Sequence, residues 1–219
     1  MVSRIVISDL IESVMAIAFG VRGLEDGCTE ADICAAEQRL GVSLPEALRD
    51  YLATAGRHGG MMDADFHVLP PDKLRLAGDC LVFCEENQYV AEWGIQAADR
   101  ASPNPRVSGR ARNTEKWYSE ASRLSGFLIH VATWQAVISM PECSRCELPE
   151  KELKALEPLL EYIGDKKLRS GGHRISFIDR TNALLATYLH NSETLYVGAA
   201  RPEALEDFEA RCGLELEAL

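Results

Sequence analysis

Apolar residues along this chain fall into stretches of helical spacing separated by stretches of alternation. Ile11, Val14, Met15 and Ala18 predict a helix over residues 9–19. Thr29, with Asp32 three residues on, has a capping-box pattern. Ile33, Ala36 and Leu40 form the buried stripe of the helix behind it, and Gly41 closes that helix where a left-handed residue is usually needed. Ser43 and Glu46 repeat the capping pattern and Pro45 fits a first turn. Leu44, Leu48, Tyr51 and Leu52 then line one face of a second helix, which Gly56 ends. Residues 57–79 read as loop with a short helical turn.

Leu81 to Cys84 and Tyr89 to Ile95 predict two strands around a four-residue turn centred on Asn87, an amide that tolerates a left-handed backbone. Tyr89, Ala91, Trp93 and Ile95 share one face of the second strand by alternation. From Ser122 a long helix carries Leu124, Phe127, Leu128, Val131 and Ile138 inward and stops before Pro141. "PECSRCELP" reads as a connection. Leu153, Leu156, Leu160 and Ile163 mark a further helix, bent at Pro158. "RISFID", "ALLATYL" and "TLYVGA" read as strands, and Pro202 opens a last helix with Leu205, Phe208 and Cys212 inward and Gly213 beyond its end. Strands thus come in two batches between helices. The expected class is α+β, with helices packed on a central, mainly antiparallel mixed sheet.

Composition narrows the function classes. Hydrophobic residues make up 47% of the 219 positions and charged residues 26%, which supports a packed core. The net charge of -11 argues against a nucleic-acid partner, since phosphate binders carry a basic footprint, and suits a basic protein partner. The apolar stretch near the N-terminus is broken by Asp9 and Glu12, so it reads as an amphipathic helix and not as a signal peptide. No window approaches the roughly 18 apolar residues of a membrane span. Seven cysteines, an odd and scattered set, point to reduced thiols in a cytoplasm.

Candidate chemistry is sparse. Cys143 and Cys146 form a CxxC pair, half of a zinc site, but Cys80, Cys84 and His130 do not complete a known ligand spacing. As a redox motif the pair would need a helix N-terminus directly behind it, and Pro149 places the next helix start too late. His58, in "GRHGG", sits in a glycine-rich loop without the Lys and Ser/Thr of a phosphate cradle. Glu85, Glu86 and Glu92 suggest an acid–base pair, yet two carboxylates at a hairpin tip ordinarily point to solvent. Arg100, Arg106, Arg110, Arg112 and Lys116 concentrate positive charge in one window and read as a solvated loop or a local contact site. No cofactor is implied.

Two signatures, in this order and separation, resemble the SUKH superfamily of yeast cell-wall-assembly regulators and bacterial immunity proteins. The first is the "E-x-x-LG-x-x-LP" stretch of Glu37, Leu40, Gly41, Leu44 and Pro45. The second is the "ENQ…W" hairpin of Glu86, Asn87, Gln88 and Trp93. The resemblance covers residues 28–140 and the closing strands and helix. It implies one α+β domain over residues 1–219, with residues 1–27 as an N-terminal helical extension and residues 141–173 as an insert or connection. It implies no catalytic residues and, as partner, the toxin domain of a polymorphic or contact-dependent system. Glu85, Glu86, Glu92 and Trp93 are the expected contact residues. The alternatives are an intracellular regulatory scaffold binding an endogenous protein, and a metal- or thiol-dependent enzyme using Cys143 and Cys146. Oligomeric state is left open.

Overall fold

The structure, a computed structural model, describes residues 7–21, 26–164 and 174–219. Helix α1 (Ile7–Phe19) turns Leu10, Ile11, Val14 and Met15 into the core. Helix α2 (Glu30–Leu40) begins with the expected box: the Asp32 amide donates to Thr29 Oγ1, and the Thr29 amide donates to the Asp32 carboxylate. It ends at Gly41 with φ of 67°. Helix α3 (Glu46–Ala55) lacks the second box, because Pro45 is its N-cap and no side chain caps it. The carboxylate that organises this connection is Glu37, which accepts from the Leu44 amide at 2.7 Å and pairs with Arg49 at 2.8 Å. A single turn, α4 (Gly59–Met62), follows.

The first sheet contains β1 (Phe66–Val68), β2 (Arg75–Ala77), β3 (Cys80–Glu86), β4 (Ala91–Gln96), β5 (Val107–Ala111) and β6 (Tyr118–Ala121). Its order is β1-β3-β4-β5-β6, with β2 pairing farther along β3. The second sheet contains β7 (Glu142–Glu147), β8 (Glu161–Ile163), β9 (Arg174–Asp179), β10 (Leu184–Leu189), β11 (Thr194–Ala199) and β12 (Glu217–Ala218), in the order β12-β7-β11-β10-β9-β8. All ladder pairings of the described residues are antiparallel. The class is therefore α+β, with its strands divided between two sheets where the sequence suggested one.

Helix α5 (Leu124–Ser139) lies between them and is buried nearly all round, from Leu124 to Val137. Its Phe127 meets Phe83 and Trp93 of the first sheet at 5.7 and 5.8 Å between ring centres. On its other side it packs on β9, β10 and β11. The approach to β11 is close enough that a Cβ on Gly198 would stand 3.0 Å from the Val137 backbone. The second sheet is covered on its far face too, by α6 (Pro202–Cys212) and a 3-10 turn (Glu150–Leu156), where Tyr188, Leu195, Val197 and Phe208 form a separate apolar cluster.

Two stretches set apart in the sequence are packed into the fold. In the stretch 1–27, expected as an N-terminal helical extension, the described part holds helix α1, which packs on α3, α5 and β10. Within the stretch 141–173, expected as an insert or connection, "PECSRCELP" is not an exposed connection, since "ECSRCE" is β7, hydrogen-bonded between β11 and β12. The helix expected from Leu153 to Ile163 is a 3-10 turn followed by β8, a break that Pro158 helps to impose. Residues 165–173 of that stretch, and residues 1–6 and 22–25 of the other, lie outside the described residues.

Candidate functional site

The hairpin of β3 and β4 is the centre of interest, and its side chains divide by strand alternation. Trp93 faces inward, 8% exposed, between Phe66 and Phe127. Glu85 and Glu92 stand opposite each other across the two strands on the outer face. They are 7% and 1% exposed, so the solvated-turn reading fails for both. Two like charges in direct cross-strand register repel, and burial adds a desolvation cost. Three arginines answer both. Arg75 on β2 bonds to Glu85 and, at 2.5 Å, to Glu92. Arg110 on β5 reaches Glu92 at 2.5 Å, and Arg112 just beyond it reaches Glu85 at 2.6 Å. Burial pushes the Glu92 carboxyl up, but the bonds from Arg75 and Arg110 outweigh it and hold the group below its ordinary range.

The cationic window is thus partly spent inside the fold: Arg110 and Arg112 belong to this network, and Arg106 pairs with Asp99 at 3.0 Å. Of the expected contact residues, Glu85, Glu92 and Trp93 are buried and so offer no exposed surface, and Glu86 is half-buried over the turn, where it accepts from the Gln88 amide at 2.7 Å. The left-handed residue of the turn is Tyr89, with φ of 58°, and not Asn87. Asn87 instead donates through its side chain to Asp65 at 3.1 Å.

That bond ties the tip to the core. Asp65 also accepts from the Trp134 indole at 2.6 Å, and Gln135 Oε1 accepts three successive amides, Ala64, Asp65 and Phe66. Gln135 Nε2 donates back to the Met61 carbonyl at 2.5 Å. A buried amide bonded through both its oxygen and its nitrogen in this way fixes a segment in one conformation. Above this support Tyr89 stacks on His67 at 5.0 Å, with the Arg112 guanidinium 5.4 Å from its ring centre. His67 is in turn paired with Asp63. Tyr89 and its neighbour Val90 remain 49% and 58% exposed. Nothing in the sequence singled out Tyr89 or Gln135, because their partners lie 22 and about 70 residues away.

Two clefts lie on this side of the fold, and the smaller one adjoins the tip. One of about 470 Å³ lies between α2 and the turn at Pro70 and Pro71. The other, about 270 Å³, is lined by His67, Leu69, Lys73 and Tyr89. They share Gly56, Arg57 and Pro70. His58 does not form a loop cradle, since it caps α4 and packs its ring on Phe19 at 4.4 Å.

Cys143 and Cys146 are separated by the strand that holds them. Residues three apart on β7 project to opposite faces and stand ~10 Å apart. Cys143 accordingly packs against the α5 side, and Cys146 against the cluster beneath α6. Burial pushes both thiols up to about 11. One metal ion or one disulfide cannot take both from this geometry, and a neutral thiol is a poor nucleophile. Among the described residues no three His, Cys, Asp or Glu side chains are grouped to hold a metal ion.

No protein-family model, no curated protein and no solved structure matches the chain.

Proposed function

We propose that this chain is a non-catalytic protein-binding domain of the SUKH immunity type, acting in the cytoplasm by occluding a basic toxin domain. The observation that carries the reading is the hairpin tip. Tyr89 and Val90 are exposed apolar side chains on a support anchored to the core through Asn87, Asp65, Trp134 and Gln135. Interfaces draw their energy from such rigid aromatic anchors, which lose little freedom on binding. The hairpin's paired carboxylates fit the same reading, since Arg75, Arg110 and Arg112 tie Glu85 and Glu92 into the sheet as supports of the tip. The net charge of -11 supplies steering towards a cationic partner. Among the described residues no helix is long and apolar enough to cross a membrane.

The test is co-expression with the toxin-like domain encoded beside this chain, scored for host survival and for co-purification. Survival together with a stable complex is the expected result. Host death with no complex sinks the reading.

A further inference from the structure

We infer that the partner also lays an extended segment into the two joined clefts, seating a basic side chain in the larger one. This rests on the protein-binding reading and specifies how the partner is held. The first argument is area. A stable inhibitor-type interface covers roughly 800 Å² on each side. An aromatic side chain buries only about 150–250 Å², so Tyr89 with Val90 supplies less than half of that. The contact must extend beyond the tip, and Tyr89 itself lines the smaller cleft, so the surface continues there without a break. The larger cleft is its neighbour, since Gly56, Arg57 and Pro70 line both.

The second argument is charge. Most ionic groups around these clefts are already satisfied. Arg57 pairs with Asp32 at 2.7 Å, while Arg39 has no ion pair among the described residues and spends its guanidinium on the Pro71 and Leu74 carbonyls, both at 2.9 Å. Glu85 is held by Arg75 and Arg112, and Asp63 by His67. Asp72 is exposed on the larger cleft and has no ion-pair partner among the described residues. The floor beside it is apolar, made by Ala35, Ala36 and Pro71. An arginine or lysine fits such a place: its aliphatic stem covers the floor while its charge meets the carboxylate. Lys73, also without an ion pair among the described residues, faces the smaller cleft and suits an acidic or carbonyl group farther along the same segment.

Isothermal titration with the domain encoded beside the chain tests this, using wild type, Ala35→Trp, Asp72→Lys and Tyr89→Ala. Ala35 is exposed on α2, so the larger ring enters the cleft and not the core. Circular dichroism melts check that each variant folds, and Asp72→Lys keeps the test valid if Ala35→Trp does not. The expected result is binding by wild type and a loss of at least about tenfold in each folded variant. If wild type binds and both cleft variants bind within twofold of it, the inference is overturned while the protein-binding reading stands. If wild type does not bind, both fall. A wild type that sediments as a dimer, with Ala35→Trp a monomer, assigns the groove to a second copy of this chain and also overturns the inference.

Discussion

The two sheets pack their second faces by opposite means. Each has one face against α5 and its companions. Behind the second sheet lie α6 and the 3-10 turn, and the filler is apolar: Tyr188, Leu195, Val197 and Phe208. Behind the first sheet the corresponding positions hold Glu85 and Glu92, covered by the side chains of Arg75, Arg110 and Arg112. Long arginine stems here cover strand surface in place of a helix, with their guanidinium groups turned onto the acids. An apolar filler gains from water exclusion and tolerates small shifts. An ionic filler holds together only while every charge has its partner, because a single orphaned group bears the whole desolvation cost.

That contrast makes ranked predictions. Phe208→Ala empties the apolar side and should cost about 3–5 kcal/mol in urea unfolding, the usual range for a fully buried aromatic. Glu92→Ala should cost less, about 2–3 kcal/mol, because Arg75 and Arg110 are partly exposed and recover some hydration. A cost for Glu92→Ala within experimental error of zero would show that the network only decorates the sheet.

The next effect is one of pH. The folded pKa of Glu92 lies below its ordinary value of 4.5, so its stabilising contribution is complete above that value and is lost as pH falls through the lower folded one. Wild type should therefore lose more stability between neutral pH and the acid limb than Glu92→Gln does. Unfolding midpoints across that range check it, and parallel curves for the two proteins would reject it. The smallest effect concerns the tip. Tyr89→Ala should change stability by no more than about 0.5 kcal/mol, as surface substitutions usually do, while binding to the proposed partner falls.

How much of this the sequence carried depended on the reach of each interaction. The Thr29–Asp32 box and the glycines at 41 and 213 are local devices, and both ends of each lie within a few residues. The α5 helix was recognisable, although its all-round burial was not, because a helical stripe of five apolar positions does not reveal that Gln135 and Thr133 are buried as well. The carboxylate network was invisible for a sharper reason. Its arginines come from 10 to 27 residues away, and the strand pairing shifts at a bulge between Val82 and Cys84, which helps decide that Glu85 faces Glu92. "ECSRCE" failed as a strand signal because neither face carries a run of apolar residues. Its place in the sheet comes from β11 on one side and the chain's last residues on the other. The second capping pattern at Ser43 was the right composition without the geometry, since the helix starts at Glu46 with Pro45 as its N-cap, which leaves Ser43 outside the first turn.

The burial of α5 on every side has a consequence for the order of synthesis. As this helix leaves the ribosome, α1, α3 and the first sheet are already made, but β9, β10 and β11, which cover its remaining face, follow 35 to 75 residues later. At about 5–20 residues per second, an apolar helix stays half covered for several seconds. Helix α1 waits as well: it packs on β10, and its Ser13 accepts a hydrogen bond from Arg180 across 167 residues of chain. Nascent chains stalled before residue 199 should therefore be caught by chaperones that bind exposed apolar helices, whereas chains released beyond it should escape them.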